Sequence, residues 1–373
     1  MNKSIPKISV LMSVYNAIPY LEESVESVLN QSFTNFEFII IDDCSTDNSW
    51  EILRKYAEKD ARIKLHKNQE NLGLTKSLNK GLNLATGEYI ARQDADDISL
   101  SKRFEKQVEL LDLHPDYILA SCDIELINAE GSRIAIDRRA CEPELVGWYL
   151  LFYNHIAGHS QVMFRKEPVV NLGGYLSTRR YSQDYELWCR LAKIGKMAIL
   201  PEALVQQRRH SKSISADKKS EQEAYSLNQV RDNIKLLIGE EISLEEAKDL
   251  RGFWLGHWWP RYFPDNNKAE KIHSTIEKIQ LKYLQQNGSD SSLSRQLHNR
   301  IGKQFLYWIQ TPVKQQQNLL GKLAISAYAL KWCPLGIPGS WLRCLKNSLF
   351  FKLRPIAKLR HRLISKLALR SST

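Results

Sequence analysis

The chain has 373 residues, 43% of them hydrophobic, and a formal net charge of +11. That rules out a disordered tail and allows a sizeable core in one larger domain with an appendage, or in two domains. Six cysteines (Cys44, Cys122, Cys141, Cys189, Cys333 and Cys344) show no CxxC spacing, which argues against a zinc site or disulfide framework and fits a reducing compartment.

The charge is unevenly placed. Eleven Lys and Arg and no Asp or Glu follow residue 319, so the whole positive excess belongs to the carboxyl-terminal tail. The opening "MNKSIPKISVLMSVYNAIPY" has a basic start but a short apolar run and no small-residue cleavage pattern, so no signal peptide is expected.

In chain order, "ISVLMSV" (8–14) is a short apolar strand. After Pro19, Leu21, Val25, Val28 and Leu29 recur at helical spacing. "FEFIIIDD" (36–43) is a second apolar strand, and "STDNSWEILRKYAEKD" supplies Ser, Thr and Asp cap candidates ahead of an amphipathic helix. "RIKLH", "TKSLNKGLNLAT" and "EYIARQ" continue as strand, helix and strand, "KRFEKQVELLDLHPD" is a helix stopped at Pro115, and "YILASCDIELIN" is a further strand. A loop-rich stretch runs to about residue 165, and Leu187, Leu191 and Ile194 then suit a helix. Apolar strands alternating with helices predict an α/β fold with a mostly parallel sheet covered on both faces. Ligands of such sheets sit beyond the carboxyl ends of the strands.

Asp42, Asp43, Asp94, Asp96 and Asp97 all fall at predicted strand ends, so two acidic clusters 50 residues apart can converge. Three carboxylates within "QDADD" are either a strand-ending turn or a site for a divalent cation. Beyond about residue 217 the composition shifts to Gln, Lys and Glu on helical patterns, with a polar linker near 285–294. The expected domains are therefore 1–216 and a mainly helical 217–373. In "RPIAKLRHRLISKLALR", Ile356, Leu359, Leu363, Ile364 and Leu367 share a helical spacing with basic residues between them. This amphipathic basic helix suits either an anionic membrane surface or a solvated face of a helical subdomain.

In order, "VLMSVYN", "LNQSF", "FIIIDDCSTDNS", "NLGLTKSLNKGLNLATGEYIARQDADD", "QDYELWCRL" and "RRHSKSIS" resemble the family 2 inverting glycosyltransferases over roughly residues 8–216. The resemblance implies the GT-A nucleotide-sugar-binding fold and a Mg2+ or Mn2+ cofactor. Asp96 is then the first metal ligand, with His210 near the metal or diphosphate, and Asp94 and Asp97 touch the ribose or metal. Asp43 accepts a hydrogen bond from the base, with Ser13 and Tyr15 lining it. Lys76 contacts the base or diphosphate, or is a solvated helix residue. Asp42 serves the site or caps the next helix. Asp184 is the general base; the family often has Glu before it, where this chain has Gln183. Arg208 and Arg209 meet phosphate or solvent, and His159 lies on the acceptor side or is a satisfied core histidine.

The implied partners are a nucleotide-sugar donor, a UDP-sugar first, a glycan or lipid-linked acceptor, and an anionic membrane reached through the tail. The implied setting is the cytoplasm, peripheral on the cytoplasmic face. Two other classes compete. A basic nucleic-acid-binding protein is disfavoured by the balanced charge of residues 1–319. An inactive sugar-binding scaffold is disfavoured by the joint presence of Asp43, the acidic cluster and Asp184.

Overall fold

The computed structural model describes residues 5–211, 213, 218–255, 264–288, 291–310 and 319–333. The basic amphipathic segment at 356–367 lies outside the described residues. The chain divides into two compact units, Met1–Asn233 and Ile234–Thr373.

The first unit is built on a nine-stranded sheet. Its opening elements are β1 (Ile8–Val14), α1 (Ile18–Leu29), β2 (Phe36–Asp42), α2 (Ser49–Lys59), β3 (Ile63–Lys67), α3 (Leu74–Leu84) and β4 (Tyr89–Asp94). Then come β5 (Ile98–Ser99), α4 (Arg103–Leu113), β6 (Tyr117–Ile127), β7 (Arg133–Asp137), α5 (Pro143–Leu150), β8 (Met163–Arg165), α6 (Lys166–Asn171), α7 (Gln183–Leu191) and β9 (Lys196–Arg208).

The strand order is β3-β2-β1-β4-β8-β6-β9-β5, with β7 paired to β6. The β3-β2-β1-β4 half is parallel throughout, as are β6 and β9, whereas β8 runs antiparallel to both β4 and β6. The apolar strands are buried on both faces. On one side Val10, Met12, Phe38 and Ile40 pack with Leu21, Val25 and Val28 of α1. On the other Leu11, Ile39 and Ile41 pack with Leu78 and Leu82 of α3. Because the chain passes from β1 outward to β2 and β3 and returns to β4 on the other side of β1, strand order reverses at β1/β4, where open α/β sheets place their ligands.

β9 is a 13-residue strand within a segment that, from its sequence, simply closes the catalytic half. It contains Pro201 and Glu202, and the register with β6 steps from Leu200↔Cys122 directly to Ala203↔Asp123. The two exposed residues are looped out of the ladder, which is how a proline is accommodated inside a paired strand.

Composition places a boundary near residue 217, but helix α8 (Lys219–Ile238) contributes its first part to the unit that ends at Asn233. The reason is polar packing: Asn233 Nδ2 donates to the Leu150 carbonyl (2.9 Å), and Arg179 pairs with Asp232 (3.2 Å).

The second unit is helical. It contains α9 (Leu244–Leu255), α10 (Asn266–Asn287), α11 (Ser291–Gln310) and α12 (Leu319–Trp332). Ser243 and Glu246 cap α9 reciprocally, the Ser243 N–H donating to Glu246 (2.8 Å) and the Glu246 N–H to Ser243 Oγ (3.1 Å). Its core is aromatic: the Phe253 ring lies 4.9 Å from Phe305 and 5.1 Å from Trp308, all buried. Among the described residues no helix is long and apolar enough to cross a membrane.

Candidate active site

The end of β1 brings Ser13 beside Ile41 of β2 and Asp94 of β4, so strand pairing alone unites the two acidic segments. Tyr15, just beyond β1, is half exposed. Asp43 is buried, and its carboxylate accepts from Asn68 Nδ2 (2.7 Å) and the N–H groups of Leu72 (2.8 Å) and Gly73 (2.8 Å). A carboxylate offers about four acceptor positions, and these three donors take most of them. Gly73 opens α3 with φ +84°, a conformation that favours glycine and lets its N–H turn to Asp43. Lys76, in the first turn of α3, is exposed. Asp42 accepts the Ser45 N–H (3.2 Å), while its buried Oδ1 meets no donor among the described residues.

The three carboxylates of the second cluster have distinct surroundings. Asp94 is held by Arg92, whose Nη2 donates to Asp94 Oδ1 at 2.5 Å. The Arg92 side chain is fully buried, and its Nη1 donates to the carbonyls of Leu11 (2.6 Å) and Gln93 (2.8 Å). Asp96 is partly exposed and meets His210 Nε2 at 2.9 Å. Burial and then the adjacent Asp94 charge push the Asp96 carboxyl up, against the His210 contact.

Asp97, expected at the ribose or metal, is 3% exposed and has both oxygens taken from within the fold. Ser160 Oγ donates to one (2.6 Å) and the Arg208 N–H to the other (2.9 Å). Burial first, then the charges of Asp96 and Asp94, raise it well above the usual carboxylate range.

Arg208 itself turns inward rather than to phosphate or solvent: Nη2 pairs with Glu23 at 2.5 Å, Nε donates to the Asp96 carbonyl (3.1 Å), and the guanidinium stacks on Tyr20. Arg209 is exposed. His159 is buried between Arg92, whose Nε lies 3.3 Å from Nε2, and the Tyr175 hydroxyl at 2.9 Å. Burial and the Arg92 charge hold it well below the usual imidazole range, so it stands there as a neutral core histidine.

Asp184 sits in the first turn of α7. Its Oδ2 accepts from Asn154 Nδ2 at 3.0 Å. Burial pushes its carboxyl up to about 6, with the Asp94 charge acting in the same direction and the Asn154 and backbone hydrogen bonds opposing it. The Asp94 charge reaches Asp184 electrostatically, and Asp96, just beyond β4, meets His210, just beyond β9. Among the described residues no group of three or more His, Cys, Asp and Glu side chains is gathered to hold a metal ion. Asp96 and His210 together offer one oxygen and one nitrogen donor, a set suited to an open site completed by substrate oxygens and water.

Arg92, Asn154, Ser160 and Tyr175 were not legible as site residues from the sequence. The available signals were a charged residue in the middle of an apolar strand, for Arg92, and the polar run "YNHIAGHSQ" (153–161) in the otherwise loop-rich stretch.

Residues 9–169 match the glycosyl transferase family 2 model. The putative glycosyltransferase EpsE of Bacillus subtilis is 40% identical over 211 residues, 55% of this chain and 74% of that protein. The chain belongs to glycosyl transferase family 2. Other members similar to it are the putative teichuronic acid biosynthesis glycosyltransferase TuaG of B. subtilis and the O-antigen biosynthesis glycosyltransferase WbnJ of Escherichia coli. Each is 34% identical, and the alignments cover 57% of this chain and 83% of TuaG, and 55% of this chain and 81% of WbnJ. S. aureus TarS 1–349, solved in complex with UDP, shares the fold with a TM-score of 0.51 at 16% identity, over 87% of this chain and 92% of that one. The family thus carries the GT-A fold here, and the chain is a nucleotide-sugar-dependent glycosyltransferase.

Proposed function

We propose that the chain is a metal-dependent inverting glycosyltransferase that moves a sugar from a nucleotide donor, a UDP-sugar first, to a glycan or lipid-linked acceptor in cell-surface polysaccharide synthesis. The observation that carries this reading is the strand pairing that sets Asp42 and Asp94 at the ends of β2 and β4 on either side of β1, with Asp184 fixed by Asn154 at 3.0 Å and its carboxyl pushed up by burial to about 6. A single base with a carboxyl near the operating pH is what single displacement needs. Asp184 takes the proton of the acceptor hydroxyl as that oxygen bonds to the anomeric carbon. The bond from that carbon to the diphosphate oxygen breaks, and the nucleoside diphosphate leaves with the electron pair. One displacement inverts the configuration.

Asp96 and His210 would hold Mg2+ or Mn2+, which supplies charge neutralisation for the leaving diphosphate. Asp43, fixed just beyond β2 by Asn68, Leu72 and Gly73, serves the base. Ser13 and Tyr15 line it, and Asp94 faces the ribose. UDP is the nucleotide of the TarS complexes, which is why a UDP-sugar is the donor to try first. The acidic character of the site disfavours the nucleic-acid alternative, and a tuned base disfavours an inactive scaffold.

The test is a donor screen scored by released nucleotide, with Mn2+ and with chelator, alongside calorimetry of UDP binding. Turnover and UDP affinity should require the cation, and Asp96→Ala should lose both. Equal turnover in chelator, or full activity of Asp96→Ala, removes the metal from this mechanism.

A further inference from the structure

The Asp184 side chain is anchored by one neighbouring side chain in the described structure, and that neighbour is itself fixed. Asn154 Oδ1 accepts the Ala157 N–H at 3.2 Å, and Nδ2 lies 3.4 Å from the Ala157 carbonyl. Ala157 makes this return possible with φ +71°, a left-handed conformation uncommon for a residue with a Cβ. Because the N–H of Ala157 takes the amide oxygen, the amide of Asn154 has one orientation, with Nδ2 turned to Asp184 Oδ2 at 3.0 Å. The turn ends in His159, Ser160 and Gln161. Ser160 accepts the Asp94 N–H (3.0 Å) and donates to Asp97, and Gln161 accepts through its carbonyl from Gln107 (2.7 Å). The same short segment therefore touches the base at one end and the acidic cluster at the other.

We propose that Asn154 is a positioning residue for the general base: it ties down Asp184 Oδ2 and so fixes the orientation in which the carboxylate meets the acceptor hydroxyl. This rests on the assignment of Asp184 as base. A hydrogen bond donated to a carboxylate stabilises its charged form, and Asn154 opposes the burial that raises Asp184. Among the described residues, Asp94 of β4, itself paired with Arg92 at 2.5 Å, acts on Asp184, and Asp184 in turn acts on Tyr175 and on Cys189 of its own helix. Without Asn154, the donors to Asp184 among the described residues are backbone N–H groups.

The experiment is carbon-13 NMR of the full chain labelled at the aspartate carboxyls, with Asp184→Asn identifying the Asp184 resonance. Asn154→Ala should move its titration midpoint up by about one pH unit. In parallel, UDP release from UDP-N-acetylglucosamine in Mn2+ should show kcat down about 5-fold at pH 6 and recovering as pH rises, with KM nearly unchanged. If Asn154→Ala fails to fold, Asn154→Asp keeps the shape and places like charge against like, so the pair should titrate in two steps, the upper one above the original midpoint. An unmoved midpoint, or a kcat loss equal at every pH, overturns the proposal while leaving Asp184 as base. Turnover of Asp184→Asn like that of the unaltered chain overturns the base assignment itself, and this proposal with it.

Discussion

A desolvated carboxyl near 6 has two measurable consequences at Asp184, one for rate and one for stability. As general base it must be ionised, so transfer should rise with pH through about 6. Asp184→Asn keeps the shape but accepts no proton, and should lower kcat by on the order of 100- to 10,000-fold while UDP binding survives. The stability effect follows from linkage. The folded-state value lies above the usual 3.8, so the protonated carboxyl is favoured in the fold. Its contribution is fully present below about pH 4 and is lost as pH rises through about 6. The permanently neutral Asp184→Asn should therefore gain Tm relative to the unaltered chain at pH 8 and gain little at pH 4. Thermal unfolding at the two pH values checks this, and equal shifts at both would show that burial does not raise the carboxyl as described.

Elements place these side chains, and the segment 153–161 does more of that placing than its length suggests. Ser160 Oγ satisfies the Asp94 N–H and Asp97 Oδ2 at once, and is itself fully buried. Ser160→Ala leaves the buried Asp97 Oδ2 and the partly buried Asp94 N–H without that partner, at roughly 1–3 kcal/mol for an unsatisfied buried group. Urea unfolding should show a lower midpoint with unchanged slope, and UDP affinity in Mn2+ should weaken because the acidic turn loses its tether to β4. Normal UDP affinity in a destabilised variant would make Ser160 a packing residue alone.

This segment also shows where sequence reading stops. β1, β2 and β4 announce themselves through short, mainly apolar runs bounded by polar turns, and the Asp residues at their ends follow from the same pattern. Asn154 and Ser160 are ordinary polar residues in a loop, and their partners Asp184 and Asp94 lie 30 and 66 positions away. Asp97 looks equivalent to Asp96 in "DADD", and only the fold shows that Ser160 and Arg208 occupy it. β9 escaped for a different reason, since Pro201 and Glu202 break an apolar run that the bulge restores in three dimensions.

At the scale of the whole molecule, charge segregation asks for an explanation that the catalytic unit does not supply. All of the +11 lies after residue 319, and the apolar positions of 356–367 share a helical spacing. We expect this tail to dock the enzyme on the cytoplasmic face of an anionic membrane, where a lipid-linked acceptor would be met. Attraction acts first, within about a Debye length, roughly 8 Å at physiological ionic strength, at about 1 kcal/mol per basic residue near the surface. Burial of the leucine-rich face in the headgroup boundary then holds the protein. Salt should accordingly weaken capture more than it releases protein already bound. Truncation before residue 340 should leave UDP binding and slow donor hydrolysis intact while cutting transfer to membrane-borne acceptors far more than to soluble ones. Co-sedimentation of the full and truncated chains with phosphatidylserine-containing vesicles decides it. If both bind equally, or if neither binds at any salt concentration, the tail is a soluble element and the acceptor must reach the site without help from the membrane.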